Sequence, residues 1–126
     1  MYKTAFTAMI IAVLAGPAGS AAPELSVDTM QAIEDLNKSL ASNIALRDAK
    51  GGTSDAKELD TLFAEVEAHF VARGDAENAV TLSKKTRTLA LQIVSFIEAK
   101  DFSAATDAAT DLARTCKTCH NFYKKE

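Results

Sequence analysis

The sequence has no tryptophan, two cysteines, two prolines and five glycines among its 126 residues, and aromatic side chains make up only 6% of it. So few cysteines exclude a disulfide-dense scaffold. A formal net charge of −3 excludes a nucleic-acid binder that works through a broad basic surface, and a hydrophobic fraction of 48% excludes a disordered polymer. The length suits one domain around a single core. The two cysteines are therefore either incidental or central.

The first residues have the features of an export signal. Lys3 precedes Ala5 to Leu14, an apolar run without charge; Gly16 and Pro17 break it, and Ala18, Gly19, Ser20 and Ala21 supply small residues for a cleavage site. An uncleaved anchor needs about 17 or more apolar residues in a row, more than this run provides. Residues 1–21 are read as a signal peptide cleaved after Ala21, and residues 22–126 as a single mature domain. Export implies an oxidising compartment, the periplasm in a Gram-negative cell, with no stable membrane anchor.

After Ala21, helix breakers occur only at Pro23, Gly51, Gly52 and Gly74. From Ser26 to about Ala49, Val27, Met30, Ile33, Leu36, Leu40 and Ile44 recur at spacings of three and four, which puts an apolar stripe on one helical face. Gly51 and Gly52 are expected to end this helix. Asp55 with Glu58 has the spacing of a capping box, and Leu59, Leu62, Phe63, Val66 and Phe70 form the stripe of a second helix ending at Gly74. Asp75 is expected to cap a third, carrying Val80, Leu82, Leu89, Ile93, Phe96 and Ile97. Asp101 is expected to cap a fourth, carrying Phe102, Ala105, Ala109, Leu112, Cys116 and Cys119, although no glycine marks the boundary near Lys100. Short connections favour antiparallel neighbours, so the expected fold is all-α, an antiparallel up-down-up-down four-helix bundle. With few aromatics and many alanines its interior is thin, which leaves room for a group other than side chains.

Both cysteines fall in Cys116-Lys117-Thr118-Cys119-His120, the C-x-x-C-H signature of covalent c-type haem attachment. Positions three and four apart share a helical face, so two thiols can reach the vinyl groups of one porphyrin while the adjoining histidine reaches its iron. Three other readings compete. A disulfide between Cys116 and Cys119 has poor geometry on a helix and closes a very small loop. A thioredoxin-like pair belongs at the start of a helix after a strand, where the thiol pKa is lowered. Zinc requires four ligands, and the mature chain offers only Cys116, Cys119, His120 and His69 of the thiolate or imidazole kind.

On these residues the chain resembles the class II c-type cytochromes, the family of cytochrome c′. The resemblance covers the mature chain: four helices with C-K-T-C-H on the last, where class I cytochromes carry the motif near the N-terminus. It implies one covalently attached haem c near the C-terminal end of the last helix, bound by thioethers to Cys116 and Cys119, with His120 as the proximal iron ligand. Family members often have a basic residue four positions after the histidine, here Lys124, which can equally complement the helix terminus.

For the sixth iron position the expected topology offers Met30, near the start of the first helix, and His69, near the end of the second. A first helix bordering the fourth favours Met30, although the family pattern puts the distal group nearer the first inter-helix loop, by Leu36 or Leu40. Met30 is thus the candidate distal ligand, with an open position or His69 as alternatives. Methionine ligation implies an electron carrier that meets redox partner proteins transiently through a lysine rim of Lys117, Lys124 and Lys125. An open apolar face implies binding or sequestration of nitric oxide, carbon monoxide or other small gases. No further histidine or cysteine is present to build a base–nucleophile pair, so an enzyme is not expected. Family members are often dimers through their first two helices, while the charged faces with Lys38, Asp48, Lys57, Asp60, Glu65 and Glu67 suit a monomer; monomer and homodimer both stay open.

Overall fold

The computed structural model describes residues 24–123. The proposed signal peptide, residues 1–21, and the rim lysines Lys124 and Lys125 lie outside them. Four helices account for nearly all of the described chain: α1 (Val27–Ala45), α2 (Ala49–Arg73), α3 (Glu77–Glu98) and α4 (Phe102–Tyr123). They form an all-α four-helix bundle in which α1 packs on α2, α2 on α3, α3 on α4 and α4 back on α1. The α1–α4 pairing is the sparsest of the four. No helix among the described residues is long and apolar enough to cross a membrane.

The stripes read from the sequence supply much of the core. Ile33, Leu40 and Ile44 from α1, Leu59, Phe63, Val66 and Phe70 from α2, Leu89, Ile93 and Ile97 from α3, and Ala105, Ala109 and Leu112 from α4 are buried together. Each large apolar side chain so buried contributes about 1.5–3 kcal/mol. Met30, Leu36, Leu62, Phe96, Cys116 and Cys119 pack against them at partial burial. Val27 leaves its stripe and is 85% exposed, because it occupies the first turn of α1. Three hydroxyls enter the core satisfied by their own helices: Ser83 Oγ donates to the carbonyl of Ala79 at 2.7 Å, Thr86 Oγ1 to Leu82 at 2.9 Å and Thr115 Oγ1 to Asp111 at 3.0 Å.

The boundaries differ from expectation at two places. α1 stops at Ala45, and Gly51 and Gly52 lie in the first turn of α2 rather than between the helices. Arg47 makes the break with a φ of 57°. Its amide donates to the carbonyl of Ile44 at 3.0 Å and that of Asp48 to Asn43 at 2.8 Å, the paired bonds of a Schellman terminus. Asp48 then caps α2 by accepting from the amide of Gly51 at 3.0 Å. Asp55, read as a cap, lies inside α2 and accepts from Asn43 Nδ2 of α1 at 2.7 Å. Small residues suit this turn: a Cβ on Gly51 would come within 2.6 Å of Asp48 Oδ2, and one on Gly52 within 2.9 Å of Ile97 Cδ1.

The second correction concerns Asp75, which does not cap α3. The cap position is Ala76, and Asp75 is held by Arg73 Nε at 3.1 Å. By contrast, Gly74 ends α2 in the left-handed conformation, and Asp101 accepts from the amide of Ala104 at 3.0 Å, both at the expected places. The α3–α4 break repeats the first one without a glycine: Lys100 has a φ of 57°, and the amides of Lys100 and Asp101 donate to the carbonyls of Ile97 and Phe96. Asp60 and Glu67 do not belong to a solvated face either. Arg87 of α3 joins them, at 2.8 Å to Asp60 and 3.1 Å to Glu67, fastening α3 to one face of α2 at two points two turns apart.

Candidate functional site

A groove of about 680 Å³ opens between the start of α1 and the end of α4, inside the range of about 300–1,000 Å³ usual for small-molecule and cofactor sites. Its α4 wall carries Cys116, Lys117, Cys119, His120, Asn121 and Tyr123, its α1 wall includes Met30, Ile33, Glu34 and Asn37, and its floor is Phe63, Val66 and Phe70 of α2. It exists because α1 and α4 approach least closely of the neighbouring helices, so the apolar face of α2 is not covered between them. A second cavity of about 360 Å³ continues along the same seam past Asn37, which lines both.

The α4 wall follows from the spacing of its residues. Cys116 and Cys119, three positions apart, share a face and both lean half-buried on the core, whereas His120 is turned one position further and is exposed beside the opening. Thr115 and Thr118 anchor their hydroxyls to the carbonyls one turn back and do not compete for the groove. Both cysteines are free. Burial, with a smaller contribution from the neighbouring Cys119, pushes the Cys116 thiol up to about 11, and burial raises Cys119 as well. At neutral pH both are S–H groups. A redox-active C-x-x-C depends on a lowered thiol pKa, so this environment speaks against that reading. Among the described residues no three His, Cys, Asp or Glu side chains gather as a metal-binding group, and a zinc site closed by protein ligands is not formed there.

The groove separates the two distal candidates. Met30 lines it at half burial. His69 does not; its ring meets Phe70 edge-on, with centroids 5.0 Å apart. Leu36 and Leu40, the positions implied by the family pattern, do not line it either, and Leu40 is wholly buried in the core. Lys117 is exposed at the edge, and on the α1 side Lys38 Nζ bonds Glu34 at 2.8 Å.

Several lining residues were not readable as such, among them four apolar or aromatic side chains of α2 and the end of α4. Phe63, Val66 and Phe70 look in sequence like ordinary stripe residues of α2, since nothing local tells that part of their surface meets a gap. Tyr123 carries one weak signal, its place one turn after His120. Its phenol oxygen accepts from the amide of Ala79 at 3.2 Å, and its ring lies 5.2 Å from that of Phe70.

The donor set fits a covalently held haem: two protonated thiols on one face, an imidazole next to them, and a largely apolar hollow of cofactor size beside all three. Comparison of the chain with protein-family models, with curated proteins and with solved structures gives no match.

Proposed function

We propose that this chain is an exported monohaem c-type cytochrome of the class II kind, acting in electron transfer, with one haem c held in the groove between α1 and α4. One observation carries the reading. The two thiols and the imidazole of C-K-T-C-H line a single hollow of cofactor size, with Met30 in the opposite wall.

Each residue has a defined part. Cys116 and Cys119 would hold the porphyrin by thioethers, each S–H adding across one vinyl group with sulfur on one carbon and hydrogen on the other, so that no oxidant would be needed. His120 would hold the iron of such a group through an imidazole nitrogen. Phe63, Val66 and Phe70, which line the groove, would exclude water from a group held there. When bound, the haem supplies reversible one-electron chemistry at iron. Met30, in the wall opposite the motif, would be the second side chain to hold the iron, and a thioether there would raise the potential and close the site to small ligands.

An antiparallel up-down-up-down arrangement supports the placement near the end of α4. Arg47, after α1, lies 5.9 Å from the Phe102 ring at the start of α4, and Tyr123, at the end of α4, bonds Ala79 at the start of α3. Transient redox partners would dock at a rim of Lys117, Lys124 and Lys125, a lysine cluster on an acidic chain, with salt-sensitive rates. The compartment is the periplasm, reached through cleavage of residues 1–21. A second reading rests on the largely apolar wall of Ile33, Phe63, Val66 and Phe70: a five-coordinate haem with an open distal face that binds nitric oxide or carbon monoxide.

Expression in a strain with c-type maturation machinery tests the proposal. The expected product is a covalent haem adduct that Cys116→Ala with Cys119→Ala abolishes; wild-type chain exported without haem overturns it. A low-spin spectrum indifferent to carbon monoxide supports the electron carrier and excludes gas binding, whereas a five-coordinate spectrum excludes Met30 as ligand. Met30→Ala is expected to turn the low-spin spectrum high-spin, and an unchanged spectrum removes Met30 from the ligand set.

A further inference from the structure

α3 begins without a cap of its own. Ala76, at the cap position, has no side-chain acceptor, and Asp75 is drawn back to Arg73. The first amides of a helix need acceptors outside it, and a capping side chain ordinarily takes the amide of the second or third residue. Here the amide of the third residue, Ala79, donates to the Tyr123 hydroxyl at 3.2 Å, across 44 positions of sequence. Among the described residues this is the one side-chain hydrogen bond that joins α4 to another helix. The Tyr123 ring is half-buried, lies at 43° to Phe70 and lines the groove. Cys119 and His120 stand four and three positions before it, on the neighbouring turn of the same face.

We propose that Tyr123 is a positioning residue: by capping α3 from α4, its hydroxyl fixes the rotation and height of the turn that carries Cys119 and His120. Helix ends fray, and local opening there costs little free energy. A motif in the last two turns of a helix needs a restraint beyond its own backbone ladder, and the α3 amide supplies one from a neighbouring helix. The consequence for the iron ligand rests on the cytochrome reading; the restraint on the turn does not.

Two variants separate positioning from capping. Tyr123→Phe keeps the ring and removes the acceptor, and Tyr123→Phe with Ala76→Ser gives α3 a local cap while leaving α4 untethered. Amide hydrogen exchange of residues 77–79 and 117–123 and the ferric electron paramagnetic resonance spectrum of the haem-loaded protein are the readouts. In Tyr123→Phe the exchange is expected to quicken about two- to tenfold, the factor carried by one ordinary hydrogen bond, and the single ferric signal is expected to split into several. In the double variant the protection of the first turn of α3 returns while the α4 exchange and the split signal persist. Wild-type values in Tyr123→Phe, or full recovery of both readouts in the double variant, overturn the proposal. Faster exchange with an unchanged ferric signal overturns the positioning role and leaves a cap. Wild-type chain exported without haem overturns the cytochrome reading alone, and the exchange experiment on that chain still decides the tether.

Discussion

Arg47 and Lys100 hold a backbone conformation that costs an L-residue about 1–2 kcal/mol. Both are followed by an aspartate that closes the Schellman bond of one helix and caps the next. Arg47 recovers part of the cost by lying over the Phe102 ring at 5.9 Å. Lys100 is exposed and shows no such contact, so Lys100→Gly is expected to stabilise the protein by about 1 kcal/mol, read as a higher midpoint in urea unfolding at unchanged slope. Cys116 makes a second residue-level prediction, for the haem-free chain. Its thiol has an ordinary value of 9.0 and burial raises it to about 11. Below about pH 9 both folded and unfolded chains keep the proton. Between about 9 and 11 the unfolded chain releases it first, so stability falls as pH rises through that window. Cys116→Ala is expected to flatten this alkaline limb, leaving the contribution of the likewise raised Cys119, and Cys116→Ala with Cys119→Ala to remove both; urea titrations at stepped pH measure each.

α2 and α3 are fixed in register by one cation. Arg87 reaches Asp60 and Glu67, two turns apart on α2, and its pKa is raised by those hydrogen bonds. The group is partly exposed, so water screens the pair; Arg87→Ala is expected to cost about 1 kcal/mol, with a smaller difference from wild type in high salt. The helices themselves were legible because their apolar spacing is regular, and the end of α2 was legible because Gly74 takes the left-handed conformation expected of it. The start of α2 was not. Two glycines side by side look like a break, but in a first helical turn their missing side chains make room for Asp48, Asn43 and Ile97, while the actual break falls on Arg47, a residue with no turn preference of its own. The junction near Lys100, with no glycine to announce it, proved to hold the cap read at Asp101. The α4 part of the site was legible for a covalent reason, since its chemistry lies in five consecutive residues. The Phe63, Val66 and Phe70 floor and the Tyr123 tether arise only when helices distant in sequence meet.

At the scale of the whole molecule, the bundle is closed on three sides and parted on the fourth, along α1 and α4. A group that binds only the folded chain stabilises it by mass action, and a covalent one does so permanently. On the proposed cytochrome reading, the variant with Cys116→Ala and Cys119→Ala is therefore expected to keep its helical circular dichroism, to bind an apolar dye in the groove, and to melt well below a haem-loaded wild type. Each kcal/mol lost corresponds to about 4–8 °C for a domain of this size. The parted side also sets an order of assembly. One wall of the groove comes from residues 25–37 and the other from residues 116–123, so the hollow is formed by the longest loop closure in the described chain. During synthesis the helical hairpin of α1 and α2 can collapse early, yet no nascent chain that stops short of α4 has a second wall to offer. The place where a cofactor would sit is thereby also a check that the polypeptide has been completed through α4.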